Sequence, residues 1–288
     1  MERSGSAFCP GHISGYFRPV TGKTPAETGS LGAGIVIHEG VEASVSAADE
    51  TTVTVLQLGP DDAVLARLDS SPPVAWLLDR MNVKASVLTR CHLPISAGFG
   101  LSAAALIATA LAAGSLLPDP PGLMACATLA HEAEIIHKTG LGDVAAAIGG
   151  GRDCRLSPGV GGRIHRWHDV TEPIYAVTLS SLDSPSVLSS QDRLDAVISA
   201  WPGKCPDTVL ELFALSRAFA RDSGLVLPEV GEVLSECDKA GVPASMTMLG
   251  NGVFAYGQGA REILPQYGQV YEMRAAGHGP RILNRGRP

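Results

Sequence analysis

Basic residues are scarce in this sequence. Its 288 residues hold 22 Lys and Arg against 29 Asp and Glu, a formal charge of −7, and a chain without a basic face has no general grip on a nucleic acid. Aromatic residues reach only 5%. The six cysteines, Cys9, Cys91, Cys126, Cys154, Cys205 and Cys237, form no C-x-x-C pair and have no companion histidine spacing. That pattern argues against a zinc site and predicts reduced thiols in a cytoplasmic protein. The segment Met1-Glu2-Arg3-Ser4-Gly5 lacks the apolar core of a signal peptide. No repeat of fixed period occurs, which excludes a solenoid.

What is present is an apolar fraction of 45% punctuated by 33 Gly and 20 Pro, the make-up of a loop-rich globular chain with one large domain or two modest ones. Cys91 to Pro118 carries no fully charged residue, and Phe99 to Leu117 has the length of a membrane span. Its composition points elsewhere. It is mostly Ala, Gly and Ser, it begins with Pro94 and Gly98-Phe99-Gly100, and no Lys or Arg cluster flanks it. A glycine loop leading into a buried soluble helix is the expectation.

Short β-rich runs dominate the first third, at Ala7-Phe8, Ala33–His38, Val41–Val45 and Thr51–Leu56, followed by a helix over Val74–Met81 and a strand over Lys84–Thr89. Helices are predicted to about Ala113, over Leu123–Lys138 and over Asp143–Ile148. In the second half, a strand at Ile174–Leu179 precedes helices near Leu188–Ala200, Thr208–Ser223 and Glu229–Ala240. A Gly-rich strand at Ser245–Tyr256 and a final strand near Val270–Arg274 complete the reading. Strands and helices mix without a steady βαβ beat, which favours α+β layers. The turn-rich stretch between Ser157 and Pro173 is the expected seam, giving halves at 1–165 and 166–288 with a cleft between them.

Four segments carry chemistry. In Pro94-Ile95-Ser96-Ala97-Gly98-Phe99-Gly100-Leu101-Ser102 the glycines permit a tight turn that exposes N–H groups, and the following helix presents its positive end to the same space. Together they suit a polyphosphate, with Ser102 placed to touch a phosphate or a magnesium ion. The plain alternative is a Gly-rich turn with a serine cap. Gly98-x-Gly100-x-x-Ala103 also fits a dinucleotide fingerprint, but the acidic strand end expected about twenty residues on is replaced by Pro118-Asp119-Pro120-Pro121. Gly22-Lys23-Thr24 imitates the end of a P-loop but has Phe17 where that motif needs its first glycine. In the second segment, Glu134 and Asp143 could supply the carboxylates that phosphoryl transfer to an alcohol needs. They could equally serve as an i,i+4 partner of Lys138 and a helix cap. His131 and His137, six apart, fall on different helix faces and do not suggest a shared metal. The third segment is Phe8–Phe17 with His12, a candidate to bind an anion, and the fourth is Ala244–Ala255 with Gly250, where glycine permits close backbone approach.

In their order along the chain, these segments resemble the GHMP kinase family. That resemblance implies two α+β halves with ATP and a small substrate in the cleft. Pro94, Ser96, Ala97, Gly98, Phe99, Gly100, Leu101 and Ser102 would wrap the ATP phosphates with Gly250 nearby, and Ser102 and Glu134 would hold Mg2+, Glu132 being the alternative to Glu134. Asp143 matches the catalytic aspartate. His12 stands where some members have a lysine, so the charge-stabilising role falls to His12 or to an arginine such as Arg18 or Arg155. Leu101 replaces a first serine of the usual motif, and Met248-Leu249-Gly250-Asn251 replaces a Gly-x-Gly-Gly form. Within the family, the stretches Ala7–Phe17, Gly29–Gly34, Thr139–Val144 and Met246–Asn251 are similar to the archaeal pantoate kinase branch. The branch implies pantoate and ATP as substrates, a role in coenzyme A synthesis, no nucleic-acid or membrane partner, and a homodimer as an open option.

Overall fold

The computed structural model describes residues 3–179, 191–248 and 250–285. Strands β1 (Ser4–Val20) and β2 (Gly29–Ala47) pair antiparallel along nearly their whole length, from Ser4↔Ser46 to Val20↔Gly29. Sequence alternation breaks at their glycines and prolines and so suggests short runs. The strands nevertheless stay continuous by shifting register at Pro10/Gly11 and between Ser14 and Tyr16, where an extra residue bends the strand. To this pair are added β3 (Thr52–Leu58), β4 (Val64–Leu68), β5 (Ala85–Cys91) and β12 (Arg281–Arg285) in the order β12-β1-β2-β5-β3-β4. On the other stretch of β2, β6 (Arg152–Arg155) pairs through Gly32–Ile35, with β7 (Ile164–Trp167) beyond it. Among the described pairings only β3 with β5 is parallel. The dinucleotide reading of Gly98 and Gly100 therefore fails, because that fingerprint belongs to a doubly wound parallel sheet.

The uncharged run becomes the end of β5, a loop, and α2 (Leu101–Gly114). At 1.5 Å per residue this helix is about 21 Å long, short of the ~30 Å hydrocarbon core of a bilayer. No helix among the described residues is long and apolar enough to cross a membrane. Its many alanines let it lie close on β1 and β2; a Cβ on Gly5 would come within 2.6 Å of the Ala112 carbonyl oxygen. Helices α1 (Pro72–Arg80), α3 (Leu123–His137) and α4 (Asp143–Ala147) pack around it.

The second sheet is antiparallel, with β11 (Val270–Met273), β8 (Ile174–Thr178), β10 (Gly252–Tyr256) and β9 (Ala244–Thr247) in that order. The single Gly-rich strand expected at Ser245–Tyr256 is thus a hairpin folded at Gly250-Asn251. Helix α5 (Gln191–Ser199) answers the expectation near Leu188–Ala200, of which 188–190 lie outside the described residues; α6 (Val209–Asp222) and α7 (Pro228–Lys239) cover β9.

Four strands escape sequence alternation: β4, an exposed edge; β6; β7; and β12. The β6 sequence Arg-Asp-Cys-Arg is wholly buried, and only ion pairing makes that tolerable. Arg152 is bidentate to Asp169, at 3.1 and 2.7 Å, and donates to the carbonyls of Pro206 and Asp207.

The expectation of reduced cysteines is corrected at one pair, since Cys154 on β6 is bonded to Cys205. The two are 51 residues apart, which short-spacing patterns do not detect; Cys9, Cys91, Cys126 and Cys237 are free and buried. With Tyr16 Oη donating to the Lys204 carbonyl at 2.8 Å, the segment 204–207 is fastened across β1 and β6. Closing a loop of that length should stabilise the fold by roughly 4 kcal/mol. Cys205→Ser, or treatment with a dithiol reductant, is expected to lower the melting temperature by roughly 5–10 °C, read by differential scanning calorimetry.

Candidate active site

A cavity of about 630 Å³ opens over the N-terminal end of α2, within the size range of small-molecule sites. Its centre is the loop between β5 and α2. Ser96, Gly98 and Gly100 have φ of 62°, 82° and 63°, while Ala97 and Phe99 between them do not have positive φ. Such alternation turns successive N–H groups toward one side and forms an anion-binding nest. No side chain caps α2, whose N-cap is Gly100, so the positive helix end faces the same space.

The loop is clamped from two directions. His12 N–H donates to the Phe99 carbonyl at 2.9 Å, and a Cβ on Gly250 would overlap the Ala97 carbonyl. Gly250 thus lies against this loop, in the turn between β9 and β10. Gly250→Ala should push the loop into the cavity and raise the KM for its anionic ligand about tenfold or more. Steady-state titration measures this, and an unchanged KM would show that the clamp is idle.

Two carboxylates face the loop. Glu134, on α3, is buried; Thr139 Oγ1 donates to its Oε1 at 3.3 Å, and Oε2 has no hydrogen-bond partner. Burial, and then the charge of Asp143, push its pKa up to about 8, against hydrogen bonds from Ser102 and Thr139. An orphaned carboxylate oxygen beside a hydroxyl and a second carboxylate is the hard-oxygen donor set that magnesium takes, so Ser102 and Glu134 fit such an ion.

Asp143 begins α4, and its side chain is 26% exposed. His12 Nδ1 lies 2.7 Å from its Oδ1, and Ser14 Oγ donates to the same oxygen at 3.3 Å. On the other side of the imidazole, His12 Nε2 is 2.7 Å from Asp153 Oδ1, and Arg155 Nη1 donates to Asp153 Oδ2 at 2.6 Å. Burial alone would raise the Asp143 pKa, but the hydrogen bond and charge of His12, with the charge of Arg155, hold it below the ordinary carboxylate range. Burial would lower His12, yet the two aspartates raise it. Glycine makes room for this cluster: a Cβ on Gly142 would stand 2.9 Å from Arg155 Nε, and one on Gly34 would overlap His12 Nε2.

Pro94, Ser96, Ala97, Gly98, Phe99, Gly100, Leu101, Ser102, Glu134 and Asp143 all line the cavity. His12 does not; it is wholly enclosed, as are Asp153 and Arg155. Glu132 and Arg18 are also off the wall. Gly22-Lys23-Thr24 ends in a turn, with Glu27 N–H donating to the Thr24 carbonyl, and His131 Nε2 donates to the Thr28 carbonyl at 2.8 Å, tying α3 to the turn before β2. Among the described residues no Lys, Arg or His lines the cavity, so its positive potential comes from the nest, the helix end and the enclosed charges behind Asp143. Sequence reasoning missed Asp153 and Ser14, which have no spacing motif, and the apolar end formed by Val55, Leu68, Pro72, Pro73 and Cys91, which suits a flat heterocycle.

A family model described as the GHMP kinases N terminal domain matches residues 72–151. The chain is 45% identical over 278 residues to a pantoate kinase of Methanospirillum hungatei, covering 96% of each. It is 31% identical over 266 residues to a pantoate kinase of Thermococcus kodakarensis, covering 86% of each. A solved structure titled a phosphotransferase related to the CoA biosynthesis pathway superposes with a TM-score of 0.79 at 26% identity, covering 97% of this chain and 98% of that one.

Proposed function

Because the chain belongs to the GHMP kinases, in their pantoate kinase branch, we propose that it transfers the γ-phosphoryl group of ATP to the primary hydroxyl of pantoate. The products are 4-phosphopantoate and ADP, on the archaeal route to coenzyme A in the cytoplasm. One observation carries the reading: the nest at Ser96–Gly100, the orphaned carboxylate Glu134 and the ion-paired Asp143 open into one cavity of about 630 Å³.

In this reading the loop from Pro94 to Ser102 receives the phosphates through backbone N–H groups. The adenine lies toward Val55, Leu68 and Pro72. Ser102 and Glu134 would hold Mg2+, which supplies charge neutralisation at the phosphoryl oxygens. At the other end, beside Ser14 and Ser30, Asp143 orients the pantoate hydroxyl and takes its proton as the new O–P bond forms and the bond to the β-phosphate oxygen breaks. His12, enclosed behind Asp143, acts through it as a positioning residue. The division into halves 1–165 and 166–288 belongs to the proposal, as does a homodimer, which light scattering reads directly.

A coupled ADP-release assay tests the substrate. Pantoate with ATP and magnesium should give turnover well above mevalonate or homoserine; turnover with one of those and none with pantoate would reject the acceptor while keeping the reaction class.

A further inference from the structure

Asp153 lies between His12 and Arg155, behind the cavity wall. It is fully enclosed on β6, with Oδ1 2.7 Å from His12 Nε2 and Oδ2 2.6 Å from Arg155 Nη1. His12 meets Asp143 at 2.7 Å through its other ring nitrogen. A neutral imidazole has one N–H. It can donate to one of these carboxylates, and its lone pair would then face the other carboxylate oxygen at hydrogen-bond distance. An imidazolium satisfies both contacts. Arg155 Nη1 stands 3.5 Å from His12 Nε2 and opposes that charge, but each cation has its own Asp153 oxygen.

We propose that Asp153 is a positioning residue for phosphoryl transfer, holding His12 as a fixed imidazolium so that Asp143 remains an anion with its free oxygen toward the acceptor hydroxyl. A consequence is that His12 does not accept the substrate proton, since both of its ring nitrogens already carry one. The groups that set its state are Asp143 on α4, Asp153 and Arg155 on β6, and more distantly Arg166 on β7, whose charge acts on Asp153, and Glu134 on α3, on which the charge of Asp143 acts. Both alternatives are disfavoured by enclosure: burying Asp153 without its two partners would leave an uncompensated charge, and a neutral His12 would leave two carboxylates facing each other across the ring.

The inference rests on Asp143 being the catalytic carboxylate, so its test has one arm independent of catalysis. In wild-type protein labelled with 15N-histidine, with His12 assigned by its loss in His12→Asn, both ring nitrogens should resonate as protonated from pH 6 to pH 9. A neutral tautomer at pH 7.5 would overturn the proposal whatever the substrate proves to be. In the second arm, Asp153→Asn should lower kcat about tenfold or more and leave the KM for ATP within twofold. Its kcat should also fall along a new step near neutral pH as His12 loses its proton, with Asp153→Glu restoring part of the rate. A folded Asp153→Asn enzyme with the wild-type pH profile and kcat would also overturn it. Normal turnover by Asp143→Asn, with His12 doubly protonated in the wild type, would instead reject the reading of Asp143.

Discussion

Asp143→Asn should lower kcat by about 10²-fold or more, with the circular dichroism spectrum and the melting transition retained. Asparagine keeps the shape of the side chain and can still accept from His12 Nδ1 and Ser14 Oγ, the two contacts that Asp143 Oδ1 makes. What it lacks is a basic oxygen. The substrate hydroxyl then attacks without transfer of its proton to a fixed acceptor, and His12 keeps only one of its two carboxylate partners, Asp153. Because the nest and α2 are untouched, the KM for ATP should change little. Turnover within a few-fold of wild type would remove Asp143 from the chemistry.

Glu134→Gln should have two effects of opposite sign. Activity should fall by about 10²-fold or more, because a neutral amide is a weak magnesium ligand and phosphoryl transfer depends on neutralising the transferred group. Stability of the metal-free protein should rise. Burial and Asp143 push the Glu134 pKa to about 8 from an ordinary 4.5, so the folded state binds a proton that the unfolded state has already released. Below about pH 4.5 both states are protonated and Glu134 carries no penalty. Between pH 4.5 and about 8 the penalty grows, and above that it is complete, at roughly 3–5 kcal/mol. Wild-type protein without magnesium should therefore lose stability as pH rises across this window, while the glutamine variant avoids that loss. Urea denaturation at pH 5 and pH 8.5 measures it; equal changes in both proteins would mean that Glu134 ionises in the folded state as it does in water.

The turn between β5 and α2 was legible in sequence because glycines at 98 and 100 followed by an uncharged helix state a local requirement, that N–H groups turn toward one space. The carboxylates were legible only as candidates. Glu134 and Glu132 differ by two residues on one helix, and it is the tertiary packing of α3 against α2 that buries one and leaves the other half-exposed. Asp153 was not legible at all. Its contact with His12 depends on β6 lying beside β2, which brings residue 153 to residue 12 across 141 positions of chain, and no periodicity encodes that pairing. The tetrapeptide Arg152–Arg155 even reads as surface, since four polar or thiol side chains in a row do not resemble a core strand. The failure with the cysteines has the same origin, because the partner of Cys154 was decided by how 204–207 crosses the sheet. The helices were the easier part, since capping and hydrophobic spacing are local: α3 and α6 fall within a residue or two of their expected ends.

The pairing of β12 with β1 bears on how the protein is made. Residues Gly5–Phe8 find their partners at Arg281–Arg285, on a strand synthesised roughly 275 residues later, an interval of about 14–55 s at ordinary elongation rates. Throughout that time the outer edge of β1 offers unpaired N–H and C=O groups to any other extended chain. The nascent protein is therefore exposed to edge-to-edge association, and a chaperone that shields this edge would act on the chain until Arg281–Arg285 has paired with Gly5–Phe8.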